Sequence, residues 1–271
     1  MIPSVLEYTK ASSLDQALAQ VAAGARPIAG GQSLIPMMRL RLAAPAAIVD
    51  LGGLPELVGI FEDGDEIAVG AMSTHRMVAS SPLIEAMCHV VAQAASGVGS
   101  LVIRNRGTIG GSLGHADPHA DIPAALVAAG GAVIVRSASG ERRIEAGDLV
   151  TSYLTTSLAE DEIITQVRLP KDAARSAYAK FHRRAIDWSI VGVGVTIRDS
   201  GTTVAVTGVG DRPLRATGFE SVINGGGSLD EAVAQAGAGF TPLDELDGSS
   251  DYKRHLVGVL ARQAFEQASL R

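Results

Sequence analysis

Ile103-Arg104-Asn105-Arg106-Gly107-Thr108-Ile109-Gly110-Gly111-Ser112-Leu113-Gly114-His115-Ala116-Asp117-Pro118-His119-Ala120-Asp121 is the most informative stretch of this 271-residue chain. The paired glycines at 110 and 111 carry no side chains, so backbone N–H groups can converge on an anion, and Thr108 and Ser112 add hydroxyl donors. An earlier stretch, Ala29-Gly30-Gly31-Gln32-Ser33-Leu34, repeats the pattern directly after Arg26-Pro27-Ile28. Such loops hold a phosphate without a basic patch. That suits a chain with 23 Lys and Arg against 29 Asp and Glu and a net charge of -6. The same glycines also fit two tight turns with no ligand, and the local pattern alone does not choose.

Other chemistries fit less well. No G-x-x-x-x-G-K-[ST] occurs, and Gly192-Val193-Gly194 runs on to Ile197 without a third glycine, so P-loop and Rossmann fingerprints are both absent. Gly110 to Gly114 satisfies G-x-S-x-G, which would make Ser112 a nucleophile with His182 or His255 completing a triad. That elbow needs a buried strand before it and a helix directly after it. Here Arg104-Asn105-Arg106-Gly107 precedes it and Pro118 follows, so an α/β-hydrolase is the weakest alternative. His115, Asp117, His119 and Asp121 alternate, which in an extended segment puts four potential metal ligands on one face. Pro118 interrupts the alternation; a surface or ligand-contacting loop is the simpler account, and no metal site is expected. Arg39-x-Arg41, Arg104-Asn105-Arg106 and Arg183-Arg184 read as solvated surface. The lone Trp188 reads as a core or interface residue.

Composition narrows the class. Hydrophobic residues make up 46% and charged residues 19%, enough apolar surface for a real core and too little charge for disorder. An acidic chain without a basic run has no nucleic-acid face. The single cysteine, Cys88, excludes an internal disulfide framework and any cysteine-based zinc or iron–sulfur site built from this chain alone. Residues 1–7 lack a basic, then apolar, leader pattern, and residues 122–135 are too short to span a bilayer, so a soluble cytoplasmic protein is expected.

Along the chain, a short helix is expected at 14–21, a strand at 47–51 and a hairpin around the acidic turn 61–66. Helices follow at 74–79 and 82–95, then a glycine-punctuated passage from 96 to 121 and a helix at 122–129. Strands resume at 132–135 and 162–169, with a boundary near 170–172. Beyond it, Asp199-Ser200-Gly201 turns a hairpin, and helices at 229–236 and 251–268 complete a small α+β domain.

Taken together, the two loops carry a resemblance. Ala29 to Pro36, followed by Val49-Asp50-Leu51 and Leu54-Pro55-Glu56-Leu57, resembles the flavoprotein (medium) subunit of molybdenum hydroxylases, the aerobic carbon monoxide dehydrogenase and xanthine dehydrogenase type. So does Ile103 to Ser112 followed by Ala116-Asp117-Pro118 and Asp121, and the likeness extends through Glu162-Ile163-Ile164 and Ala177-Tyr178-Ala179-Lys180-Phe181. The resemblance implies an α+β architecture: a two-subdomain FAD-binding fold of the vanillyl-alcohol-oxidase (PCMH) type at 1–56 and 57–172, then a C-terminal domain of antiparallel sheet plus helices at 173–271.

The resemblance also implies a site. Pro27, Ile28, Ala29, Gly30, Gly31, Gln32, Ser33 and Leu34 would wrap the FAD pyrophosphate from the first loop, and Thr108, Ile109, Gly110, Gly111 and Ser112 from the second. Asp121 would accept hydrogen bonds from ribityl or ribose hydroxyls. Val98, Ile164 and Lys180 would lie near the flavin ring, with Trp188 shielding one face. No catalytic residue is expected, and neither phosphate loop contains a His or Cys to anchor a covalent flavin, so FAD would be noncovalent. Molybdopterin and [2Fe–2S] clusters would reside on a large and a small partner subunit, in a dimer of heterotrimers. Electrons would pass to NAD, a quinone or another acceptor. A self-sufficient FAD oxidase is the alternative.

Overall fold

A computed structural model describes residues 5–271; residues 1–4, which open the stretch read above for a leader, lie outside them. Helix Leu14–Ala22 shows how local sequence sets the first layer. Ser13 caps it by accepting the Gln16 N–H, and Leu14, Ala17, Leu18 and Val21 form its buried stripe. This helix is the crossover of a parallel three-stranded sheet ordered Glu7–Lys10, Ala47–Asp50, Arg26–Ile28. The chain leaves the carboxyl end of Arg26–Ile28 through Ala29 to Ser33 and enters helix Leu34–Arg39. That short helix is not evident in the sequence, because it contains Pro36 and spans less than two turns.

The second sheet is antiparallel, in the order Ile60–Asp63, Glu66–Gly70, Ile163–Pro170, Ala132–Ser137, Gly140–Glu145. The hairpin expected around residues 61–66 is its edge. Where the sequence suggests one helix at 82–95 there are two, Pro82–Met87 and His89–Ser96, broken at Cys88 with φ -149° and ψ 58°. Burial pushes the Cys88 thiol up to about 12, so it stays protonated and unreactive.

The passage expected to be a glycine-rich loop, 96–121, contains helices Leu101–Arg104 and Ile109–His115. Thr108 caps the second by accepting the Gly111 N–H at 3.1 Å. Its glycines are poor helix formers, and tertiary contacts compensate. Ile109 and Leu113 are fully buried, Ile109 N–H donates to Ser73 O at 3.0 Å, and Gly110 N–H donates to Ala71 O at 2.9 Å. The helix stops at Ala116, which adopts a left-handed φ of 54°. Ser112 thus sits mid-helix with no strand leading into it, and the nucleophile-elbow geometry is absent.

Helix Asp121–Ala129 follows and is apolar almost all round, so it needs cover on every side. The third sheet, Arg175–Phe181, Val191–Arg198, Gly201–Thr207, Leu214–Arg215, provides part of it. Val191, Val193 and Val195 join the cluster formed with Val257, Leu260 and Ala264 of helix Ser250–Ser269. The alternate positions Gly192 and Gly194 face the other way. A Cβ on Gly194 would lie 2.9 Å from that of Ala128, so glycine is what lets the sheet lie against helix Asp121–Ala129. Among the described residues, no helix is long and apolar enough to cross a membrane.

Candidate functional site

The carboxyl ends of the parallel strands, the start of helix Ile109–His115 and the second sheet enclose a cleft of about 820 Å³. Ligand sites typically occupy roughly 300–1,000 Å³, and the mouths of parallel strands are where they gather. Pro27 through Leu34 line it, together with Thr108, Gly110, Gly111, Ser112, Val98, Asp121, Ile164 and Trp188. Sixteen of the eighteen predicted site residues are therefore brought together, counted from the residues lining the cleft. The exceptions are Ile109, whose side chain is in the core, and Lys180, which stands behind Asp121.

The two loops meet backbone to backbone. A Cβ on Gly30 would fall 2.0 Å from Arg106 O and 2.8 Å from Gly107 Cα, so only glycine permits the approach. Their contributions differ. Among the described residues, the N–H groups of Gly30, Gly31, Gln32, Ser33 and Leu34 donate to no protein acceptor. Unpaired donors in consecutive residues are an anion-binding arrangement. In the second loop, Ile109 and Gly110 donate to Ser73 and Ala71, and Gly111 donates to Thr108 Oγ1. Among the described residues the first loop thus holds five free donors in a row, whereas in the second the Thr108 N–H is free beside the Thr108 and Ser112 hydroxyls.

Asp121 lines the cleft with protein partners already in place. Its carboxylate is buried and already accepts from Tyr178 Oη at 2.9 Å, from Lys180 Nζ at 2.8 Å and from the Ser189 hydroxyl. With three protein donors it has little capacity left for ligand hydroxyls. Burial, and then the Asp121 charge, hold the Tyr178 phenol well above its usual range, so it remains a donor. Lys180 also donates to Gly97 O at 3.0 Å, clamping the third sheet to the cleft wall that carries Val98.

Of the alternating His115, Asp117, His119 and Asp121, His115 Nε2 lies 3.9 Å from Asp117 Oδ2, but among the described residues no group of three or more could hold a metal ion. His115 lines the cleft, His119 Nδ1 meets Ser189 O at 2.8 Å, and Asp117 Oδ1 accepts the His119 N–H, so the four share no single face. Arg104 is likewise not free surface: it donates to the carbonyls of Val98 and Gly99 at 3.1 and 2.8 Å. Arg183 pairs with Asp247 at 2.9 Å. Trp188 is 55% exposed at the cleft beside Ile186, where a core position was one expectation.

Sequence reasoning missed several lining residues. Glu162 accepts both Arg142 Nε at 2.6 Å and the second Arg142 nitrogen at 2.7 Å, which holds its carboxyl below the usual range. This bidentate pair braces the wall bearing Leu154, Leu158 and Ala159. His75, buried beside Gly107, is another.

Comparison with known proteins shows the family of the chain. Residues 4–172 match the family described as FAD binding domain in molybdopterin dehydrogenase, and residues 176–268 match the CO dehydrogenase flavoprotein C-terminal domain. The chain belongs to the FAD-carrying medium subunits of the molybdenum hydroxylases. It is 36% identical over 282 residues to the carbon monoxide dehydrogenase medium chain of Hydrogenophaga pseudoflava, covering 99% of this chain and 98% of that one. It is also 36% identical over 277 residues to the nicotine 6-hydroxylase medium subunit of Paenarthrobacter nicotinovorans, covering 98% of each. The fold matches the carbon monoxide dehydrogenase structure from Hydrogenophaga pseudoflava that lacks the Mo-pyranopterin moiety, with a TM-score of 0.95 and 34% identity across 100% of this chain and 99% of that one.

As a medium subunit of this family, the chain is an oxidoreductase component with an FAD-binding domain. The residues present fit the cofactor. The row of unpartnered donors at Gly30 to Leu34 suits a diphosphate, and apolar Val98, Ile164, Ile186 and Trp188 offer surface to an aromatic ring system.

Proposed function

We propose that this chain is the electron-transfer subunit of a molybdenum-containing hydroxylase or dehydrogenase, holding FAD noncovalently between its two glycine loops. The observation that carries this reading is the cleft with five consecutive unpaired N–H groups at Gly30 to Leu34. Bound FAD supplies exchange of electrons between one-electron and two-electron carriers. The protein's part is to bind and orient: Gly30 to Leu34 hold the diphosphate, Thr108 and Ser112 add hydroxyls, and Ile164 and Trp188 flank the ring.

Electrons arrive from [2Fe–2S] clusters of a small partner and leave to an external acceptor, NAD, a quinone or another. Substrate is oxidised on a large molybdopterin partner, and the assembly is a dimer of heterotrimers in the cytoplasm. One buried thiol, Cys88, cannot ligate a [2Fe–2S] cluster, which supports placing the clusters on another chain. The proposed division is residues 1–56 and 57–172 for the two FAD-binding subdomains and 173–271 for the C-terminal domain. The test is reconstitution. The purified chain should be yellow and release all its flavin on acid precipitation, and it should catalyse substrate-dependent dye reduction only after the iron–sulfur and molybdenum chains are added. Substrate-dependent reduction by the single chain, free of iron and molybdenum, would favour a self-sufficient oxidase.

A further inference from the structure

His75 is only 4% exposed, yet it lines the cleft. Its Nδ1 is enclosed with no hydrogen-bond partner, and neither ring nitrogen bonds to any described protein group. Buried polar side chains normally find partners within the protein, so an orphaned imidazole at a ligand site calls for an explanation.

The ring is held firmly. Thr74 caps helix His75–Ala79 by accepting the Met77 N–H at 3.2 Å, and the His75 N–H donates to Gly107 O at 2.9 Å. A Cβ on Gly107 would lie 3.0 Å from the imidazole Cδ2 and 3.3 Å from Nε2. Gly107 in turn is the residue against which Gly30 packs, so one glycine separates the ring from the start of the unpartnered N–H row. An enclosed lone pair costs less than an enclosed N–H, which places the proton of the neutral ring on Nε2 and leaves Nδ1 the acceptor. Burial, with the positive charge of Arg104 second, keeps the ring neutral by lowering its pKa to about 4.

Resting on the FAD reading above, we propose that His75 contacts the bound cofactor, its Nε2–H donating to an oxygen of the diphosphate. A neutral donor suits this position, because a cation there would also have to coexist with Arg104 in a desolvated wall.

The test uses the full-length flavin-stripped chain with FAD, ADP and adenosine as probes. Calorimetry should show His75→Phe weakening FAD and ADP binding about tenfold while leaving adenosine binding unchanged, and His75→Gln, which keeps a donor, staying within about threefold of the parent. On the parent itself, nitrogen-15 NMR should show the Nε2-protonated tautomer, with a resonance assigned by its loss in His75→Gln and shifted by ADP but not by adenosine. This readout stands even if His75→Phe fails to fold. Unchanged ADP affinity in a folded His75→Phe, or an imidazole resonance unmoved at ADP saturation, overturns the inference while leaving FAD binding intact. A parent chain that takes up neither FAD nor ADP overturns both readings.

Discussion

Adding one methyl group at Gly110 tests how the second loop works. In helix Ile109–His115 an alanine at that position would gain about 1 kcal/mol of intrinsic helix propensity. Its Cβ, however, would lie 2.6 Å from the Ala71 Cβ and 2.8 Å from Ala71 O, neither of which is the end of a flexible side chain. The helix would have to move away from the Ala71 strand end. The Gly110 N–H to Ala71 O and Ile109 N–H to Ser73 O bonds would lengthen with it, at about 1 kcal/mol each. Overpacking adds about 1–3 kcal/mol, so Gly110→Ala should be destabilised by about 2–4 kcal/mol. Gly114, one turn later, is the control. A Cβ there meets only Ile164 Cδ1 at 3.9 Å, an ordinary contact, so Gly114→Ala should be neutral or stabilised by up to about 1 kcal/mol. Urea unfolding of both flavin-free variants measures the contrast. If Gly110→Ala were as stable as the parent, the packing argument would fail.

Lys180→Met should cost about 3 kcal/mol in urea unfolding, because it leaves the buried Asp121 carboxylate with only hydroxyl donors; adding Asp121→Asn should recover much of that loss, and equal stability of Lys180→Met and the parent would refute the clamp. Trp188 is the single tryptophan and lines the cleft, so FAD should quench most of the intrinsic tryptophan emission; undiminished emission at saturation would place the ring elsewhere. Burial lowers the His75 pKa from its ordinary 6.5 to about 4 in the folded chain, so the unfolded state takes up more protons between those values. Stability of the flavin-free chain should therefore fall as pH drops from about 7 to 4, by up to about 3 kcal/mol, and His75→Gln should flatten that slope in urea titrations.

The two glycine loops, the short helix at 14–21 and the lack of thiolates for a cluster are legible in the residues alone. Each of these is local: a Gly-Gly pair, the capping Ser13 before an apolar 3–4 spacing, a count of one cysteine. Which loop has the longer run of free donors depends on contacts distant in the chain. Gly30-Gly31 and Gly110-Gly111 look alike in sequence, yet Ile109 and Gly110 meet the carbonyls of Ser73 and Ala71, while Gly30 to Leu34 meet no protein acceptor. Asp121 is occupied for the same reason, by Tyr178, Lys180 and Ser189 from the third sheet, and His75 enters the cleft because Thr74 lies opposite Thr108. A backbone donor is satisfied or left open by groups distant in the chain, and no local pattern records which carbonyl folding will bring to it.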